Sequence, residues 1–489
     1  MNSENSPNFN SRGSIAETYE ELQSLHVLRN ITEGRKKSLA TASFKSFSRS
    51  ILQAAEVALL NSASLIAHAS GFIQAGDFDS ALLHMFWLRG FHRVLISLGQ
   101  IATPFSRRDS RHNVSNLYIK ESPAFQNYLN QLKHFDISFR EYIPLEHETL
   151  RTKVANSSLD DPIVQLVQLV RVCNHESAIW EKQLNLLCVP FSIKCYEDFV
   201  GINEINEMVF GLTLEGNTFF TQFRALHQIP EILSLEMNAH IEKSIISMQV
   251  GDLLAAHNYI SRGNQLIPSI ISCLYPIADY LTTSDYHNIR ENLGVTSGSH
   301  SKNIRQDLFN DLYTKIGHEL ARIKSSLVEE SEEKRSSEYI YIHNLLEKEV
   351  FKLRNFIFHW RDLHMHFPRN VIGGNNTKSL KGSNDAVHTT RQMKEIALKK
   401  DPLKETTQQS YLSPSQSLYE EEKPISRYLS SGLSLDCMIS DLTGNVTKER
   451  FRDVQNRTGL YAKTKKETVD CEEKEQREDS KSKGKCPFS

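Results

Sequence analysis

The chain has 489 residues and a formal net charge of −2, from 57 Lys and Arg against 59 Asp and Glu. This balance creates no long-range field that would attract nucleic acid or an acidic membrane, so neither partner is predicted. The seven cysteines are scattered without a CxxC pair, which argues against a disulfide framework or a zinc knuckle and favours a reducing compartment.

The two ends of the chain differ in composition from its centre. Residues 1–40 and 403–489 are rich in Ser, Lys, Glu, Thr and Gln and contain few periodically spaced apolar residues, which predicts disordered tails. The first residues lack an apolar signal segment, and no run reaches the roughly 18 consecutive apolar residues of a membrane span. We expect a soluble cytoplasmic protein.

Between the tails, apolar residues recur every three or four positions in four long segments. These segments are Ser48–Gln74, Asp79–Ile101, Asp161–Leu187 and Ser337–His364. The spacing is that of amphipathic helices. No convincing run of alternating strand residues occurs, so we predict an all-α fold.

A weak internal repeat relates two regions of the chain. Gln53–Ser97 aligns without a gap with Gln228–Ser272, with identical residues at Gln53/Gln228, Glu56/Glu231, Ile66/Ile241, Gly76/Gly251, Asp77/Asp252, Ala81/Ala256, Ile96/Ile271 and Ser97/Ser272. Gly accepts the positive φ that ends a helix and Asp caps the next one, which predicts a duplicated helical hairpin with a Gly-Asp turn. Shared helical periodicity is the alternative. Leu52 stands in the place of His227, so only the second copy is expected to carry chemistry.

His364 stands out among the 19 histidines because of its neighbours. It follows Trp360 and Arg361 by about one helical turn and precedes a segment rich in Gly and Asn. A neutral imidazole that projects from a helix into an apolar helical core is a common proximal ligand of haem iron. On the residues alone, the alternative is that His359, His366 and Trp360 merely belong to one face of an amphipathic helix and bind no cofactor.

Four segments of the chain, in order, resemble segments of the tryptophan 2,3-dioxygenases. They are CYEDFVGINEI, FRALHQIPEI, YLTTSDYHNIRENLGVTSGSHS, and WRDLH followed by RNVIGGNNTKSLKG, and together they span about residues 195–390. The chain is therefore similar to the haem superfamily of these enzymes, as a divergent relative with an extra N-terminal helical half. The resemblance implies a helical bundle of the haem-dependent dioxygenase type.

The resemblance also implies a role for each matching residue. His364 would be the axial ligand of the iron of haem b, and His227 would lie on the distal side and accept a hydrogen bond from the indole N–H of the substrate. Arg290 would pair with the substrate carboxylate. The remaining matches would bind or enclose the substrate: Phe223, Ser297, Gly298, Tyr196, Phe199 and Thr377.

The implied function is that of a haem-dependent oxygenase that inserts O2-derived oxygen into the indole ring of L-tryptophan or a derivative. The leading product is N-formylkynurenine, as in tryptophan catabolism. The closing loop, however, carries Lys378 and Lys381 in place of small residues, and Pro230 replaces a tyrosine. These departures leave three alternatives: a divergent monooxygenase or ring-rearranging enzyme of secondary metabolism, a non-catalytic haem-binding protein, and a helical scaffold without a cofactor.

The predicted organisation has four regions. They are a tail (1–40), an N-terminal helical half that contains the first hairpin (41–190), a haem- and substrate-binding half (191–402) and a second tail (403–489). In the enzymes that the chain resembles, the N-terminal segment of one subunit closes the pocket of its neighbour in a homotetramer. Here an extra hairpin in the same chain is expected to cover apolar surface in cis, which favours a monomer or homodimer.

Overall fold

The structure is a computed structural model that describes most of the central part of the chain. The described residues are 44–108, 114–115, 121–142, 162–184, 189–190, 195–210, 219–281, 302–329, 337–371, 399 and 401–403. For residues 44–45, 102–108, 114–115, 189–190, 210, 302, 327–329 and 364–371, only the backbone is described. The predicted N-terminal tail, and the C-terminal tail after Leu403, lie outside the described residues.

Helices account for nearly all of this part of the chain, so the predicted all-α class is confirmed. They are α1 (Phe44–Gln74), α2 (Phe78–Arg108), α3 (Pro123–Tyr142), α4 (Pro162–Leu184), α5 (Tyr196–Val200), α6 (Ile202–Phe210), α7 (Phe220–Gln249), α8 (Leu253–Asn264), α9 (Ile267–Ser272), α10 (Leu274–Tyr280), a π-helix (Lys302–Leu312), α11 (Tyr313–Glu329) and α12 (Ser337–Val371). Two short strands, β1 (Val114–Ser115) and β2 (Val189–Pro190), form an antiparallel pair.

The two predicted Gly-Asp turns have the same geometry. Gly76, between α1 and α2, has φ = 74°, and Gly251, between α7 and α8, has φ = 83°. Each following aspartate caps the next helix: Asp77 Oδ1 accepts from the amide three residues later at 3.0 Å, and Asp252 Oδ1 does the same at 2.9 Å. The turn predicted from the repeat is therefore confirmed, because a positive φ followed by an aspartate N-cap reverses the chain between two helices.

The correspondence between the two hairpins extends beyond their turns. Gln53 and Gln228, which occupy equivalent positions, are both buried and both donate to a backbone carbonyl in the short helices α5 and α6. The Gln53 bond to the Val200 carbonyl measures 2.7 Å, and the Gln228 bond to the Met208 carbonyl measures 3.1 Å. Residues 196–210 are thereby held by both copies of the repeat.

A later helix follows each hairpin at the same interval. α4 begins at Pro162 and α12 begins at Ser337, 175 residues later, which is also the interval between Gly76 and Gly251. α4 packs against α2, and α12 packs against α8, the equivalent helix of the second hairpin. The structural repeat is therefore longer than the segment that the sequence alignment revealed.

Helix α1 lies at the centre of the core. Among the described residues, its segment Ser46–Gln74 has the length and apolar composition of a membrane span. In the fold, 89% of its most apolar window is buried inside the protein, where α1 packs against α2, α3 and α7. A helix that is apolar on all sides matches this central position.

The two hairpins pack directly against each other. The Ser46 hydroxyl in α1 donates to Glu236 Oε1 in α7 at 2.7 Å, and the buried hydroxyls of Ser97 and Ser269 are 3.0 Å apart. A Cβ atom added to Gly90 in α2 would lie 2.7 Å from the ring of Pro276 in α10. Because glycine has no side chain, α2 and α10 can pack this closely. The region boundaries and the oligomeric state remain predictions.

Candidate functional site

The predicted site residues fall into two groups. Those whose structure is described are Tyr196, Phe199, Phe223, His227 and, for its backbone, His364. Those that lie outside the described residues are Arg290, Ser297, Gly298 and Thr377. The geometry below concerns the first group and the residues that contact it.

Phe223 and His227 lie one turn apart near the start of α7, and their rings are in contact. The ring centroids are 4.3 Å apart, and His227 Nδ1 is 2.8 Å from the carbonyl oxygen of Phe223. A carbonyl accepts, so Nδ1 carries the hydrogen and Nε2 keeps its lone pair. Burial lowers the pKa of His227, and the Phe223 carbonyl partly offsets this effect. The ring is therefore neutral near pH 7 and can accept an N–H bond through Nε2.

Helix α12 carries the WRDLH segment without interruption, as the sequence predicts. Trp360 is buried, and its ring meets the ring of Phe309 edge to face at 5.2 Å. The Arg361 guanidinium carbon lies 5.4 Å from the centroid of the same Phe309 ring. His364 follows within the helix, three residues after Arg361, so the two positions share one face of α12.

The charges of two arginines, Arg305 and Arg361, interact beside this segment. Burial lowers the pKa of Arg361 to about 10, and the charge of Arg305 in the π-helix contributes to the shift. Burial also lowers the pKa of Arg305. Two partly desolvated cations that repel each other form an environment in which a bound anion, such as a carboxylate, is stabilised.

The π-helix connects α7 with α12. At its start, the Asn303 amide donates to Glu231 Oε2 at 3.1 Å, and Asn238 Nδ2 donates to the Asn303 carbonyl at 2.9 Å. Farther along, Phe309 packs against Phe356 of α12 with ring centroids 5.9 Å apart. π-Helices occur frequently at functional sites, and this one fixes the helix of His227 relative to the helix of His364.

The two aromatic residues of α5 face the first hairpin. The Tyr196 hydroxyl donates to Glu56 Oε1 of α1 at 2.6 Å, and both Tyr196 and Phe199 are buried. Tyr196 thus joins α5 to the N-terminal half through its hydroxyl group. Any contact of Tyr196 with a substrate would therefore use its ring.

Glu56 is expected to make the stability of the protein depend on pH. Burial raises the pKa of Glu56 from 4.5 to about 7, although hydrogen bonds from Ser122 and Tyr196 act in the opposite direction. Between pH 4.5 and about 7, the Glu56 carboxyl is deprotonated in the unfolded chain but still protonated in the folded protein. The free energy of unfolding therefore falls as the pH rises from 4.5 to about 7, and Glu56 causes no further change above about pH 7.

Replacing Glu56 by glutamine, which is neutral at all pH values, removes this contribution. Urea denaturation of wild type and Glu56→Gln at pH about 5 and about 8 measures the effect. We expect the variant to gain stability relative to wild type at the higher pH. An identical pH dependence in the two proteins would contradict the burial of a protonated carboxyl group at this position.

A second cluster of chemical groups lies in the N-terminal half, where none was predicted. His92 of α2 and Cys173 and Glu176 of α4 are buried, and one nitrogen, sulfur and oxygen atom of the three lie within 4.8 Å of one another. The sequence analysis missed this cluster because His92 is far from the other two residues along the chain and the three form no local motif. Packing of α4 on α2 brings them together.

The charges around this cluster are compensated. Arg89 Nε lies 3.3 Å from Glu176 Oε1, and both side chains are buried. Burial lowers the pKa of His92 to about 3, an effect that the nearby carbonyl of Cys173 partly offsets. Burial also raises the pKa of the Cys173 thiol well above its usual value. Without a bound ion, His92 and Cys173 are therefore neutral.

Together, the fold and these groups define an all-α protein with a histidine-bearing helix in each half of its core. No protein-family model matches the chain, and neither a curated protein nor a solved structure is significantly similar to it. An assignment of function therefore depends on the four segments described above and on the geometry of the described residues.

Proposed function

We propose that this protein is a haem-dependent oxygenase of the tryptophan 2,3-dioxygenase type, acting on the indole ring of L-tryptophan or a derivative. The observation that carries the proposal is the arrangement on α12. A buried Trp360 and the adjacent Arg361 precede His364 in an uninterrupted helix, and the charge of Arg305 in the π-helix acts on Arg361. A histidine one helical turn after Arg361 would suit a metal porphyrin that carries two carboxylates.

The proposed cofactor is haem b. His364 would bind the iron, and the guanidinium groups of Arg361 and Arg305 would pair with the propionates. Trp360 and Phe309 supply an apolar, aromatic surface next to these charges. The bound haem would supply the activation of O2, while the protein would supply positioning and electrostatics.

The substrate would be oriented from α7. His227 Nε2 is the acceptor that an indole N–H requires, because Nδ1 is bonded to the Phe223 carbonyl. The neutral His227 would hold the indole ring in place, and the adjacent Phe223 ring would contact its face. The proposed roles of Arg290, Ser297 and Gly298 in the pocket concern residues outside the described part of the chain.

Reconstitution with haem followed by turnover tests this proposal. The purified full-length protein is loaded with haem, reduced, and mixed with L-tryptophan under oxygen while absorption spectra are recorded. Formation of N-formylkynurenine supports the dioxygenase. A different oxidised tryptophan product would indicate a divergent monooxygenase or ring-rearranging enzyme, haem binding without turnover would indicate a non-catalytic haem protein, and failure to bind haem would overturn the proposal.

Replacing Arg290 by leucine should weaken the binding of an amino-acid substrate. The loss of the cationic partner of a buried carboxylate costs about 2 to 4 kcal/mol. This loss is measured as an increase in KM or in the spectroscopic Kd for L-tryptophan, at unchanged haem content. Arg322→Leu, at a half-exposed arginine that bonds Glu319, is the control. Equal wild-type turnover of tryptophan and of an indole analogue without a carboxylate would contradict the role of Arg290.

A further inference from the structure

We propose that His92, Cys173 and Glu176 form a binding site for a zinc-type divalent metal ion in the N-terminal half, separate from the proposed haem pocket. The three side chains project from α2 and α4 into the core, and their ligand atoms lie within 4.8 Å of one another. A nitrogen, a sulfur and a carboxylate oxygen are the three donor types that zinc prefers.

The hydrogen bonds around His92 determine which ring nitrogen can bind an ion. The Ser177 hydroxyl lies 2.8 Å from the Cys173 carbonyl and 2.5 Å from the Tyr128 hydroxyl, and either hydroxyl can be the donor of the second contact. The Tyr128 hydroxyl also lies 3.0 Å from His92 Nε2. Because Nε2 is engaged by Tyr128, Nδ1 is the ring nitrogen that would bind an ion.

His92 Nδ1 faces the cluster. It lies 3.8 Å from Glu176 Oε2. The His92 side chain is fully buried. A cation bound between this nitrogen and the carboxylate oxygen would be attracted by both, strongly so in a dry core.

The neighbouring residues are arranged as supports for metal ligands. Arg89 binds the other carboxylate oxygen of Glu176, at 3.3 Å, and Tyr128 binds the other ring nitrogen of His92. Such outer contacts orient the ligands of a metal site. On binding, the Cys173 thiol gives its proton to solvent and the thiolate forms the metal–sulfur bond, so about one proton is released for each ion bound.

The second copy of the repeat shows that the fold does not require this cluster. At the interval of 175 residues that relates the two copies, His92 corresponds to Ile267, Cys173 to Lys348 and Glu176 to Phe351. α8, which corresponds to the first part of α2, packs against α12 as α2 packs against α4. The metal-binding groups are thus a feature added to one copy, which supports a function specific to the N-terminal half.

Cobalt serves as a spectroscopic probe for the site. The full-length protein is produced in medium supplied with Co²⁺, because a buried site takes up its ion during folding. We expect about one Co²⁺ per chain, together with a thiolate-to-cobalt charge-transfer band in the near ultraviolet. Cys173→Ser should remove the band and most of the bound metal, and His92→Gln should reduce the metal content at least tenfold.

Cys273→Ser is the matched control. Cys273 is equally buried, but its sulfur donates to the Ser269 carbonyl at 3.3 Å and it lies between α9 and α10, outside the cluster. This variant should keep the band and the metal content, and circular dichroism verifies that all variants fold. A folded wild type without bound cobalt, or equal losses in the Cys173 and Cys273 variants, would overturn the proposal. The Soret band of added haem should be unchanged in Cys173→Ser, which separates this test from that of the haem site.

Discussion

Replacing His364 by alanine is expected to abolish the Soret band that the wild-type protein forms with haem. His364 is the residue of the WRDLH segment that we propose as the iron ligand, and its backbone lies within the continuous helix α12. A haem without its protein ligand loses both its anchor and its spectral signature. The measurement is a haem titration followed by absorption spectroscopy, with circular dichroism to verify the fold.

Two neighbouring histidines are the controls for this experiment. His359→Ala and His366→Ala remove imidazoles from the same helix and should leave the Soret band largely intact, because neither residue has the ligand spacing from Trp360. Adding free imidazole to His364→Ala should restore part of the band, since the pocket itself remains. A normal Soret band in the His364 variant would show that another residue binds the iron or that haem binds nonspecifically.

Replacing Asp401 by alanine is expected to destabilise the protein by about 3 to 5 kcal/mol, the typical cost of breaking a buried ion pair. Asp401 Oδ2 accepts from Arg354 Nε at 2.7 Å and from Arg354 Nη2 at 2.6 Å, and Asp401 Oδ1 accepts from the Tyr313 hydroxyl at 2.6 Å. All three residues are buried. The variant would leave the Arg354 charge without its partner in the core.

Chemical denaturation of the two proteins measures this loss. The control is Asp311→Ala, which removes a 2.7 Å ion pair with Lys315 between two exposed side chains and should cost less than about 1 kcal/mol. A small effect of Asp401→Ala would mean that the segment around Asp401 does not dock on α11 and α12.

This contact also bears on the extent of the C-terminal tail. Leu403 is buried, and Pro402 lies so close to Gly317 that an added Cβ atom there would be 2.4 Å from its ring. The packed part of the chain therefore includes the first residue of the predicted tail, 403–489. Removal of the chain after about residue 405 retains these contacts.

The sequence by itself determined the helical class and the two hairpin turns. Helix formation follows the three-to-four-residue spacing of apolar side chains, which is read within one segment of chain. The turns at Gly76 and Gly251 are likewise local, because a positive φ and an aspartate cap depend on adjacent residues. The uninterrupted helix around Trp360 was predictable for the same reason.

The tertiary structure alone decided which distant side chains meet. His92 reaches Cys173 only when α4 packs on α2, and Arg354 reaches Asp401 only when residues 401–403 pack against α11 and α12. Hydrogen-bond direction at His227 and the raised pKa of the Glu56 carboxyl also require known neighbours and known burial. Periodicity specifies that a helix has a buried face, but the partner of that face depends on how helices far apart in the chain pack together.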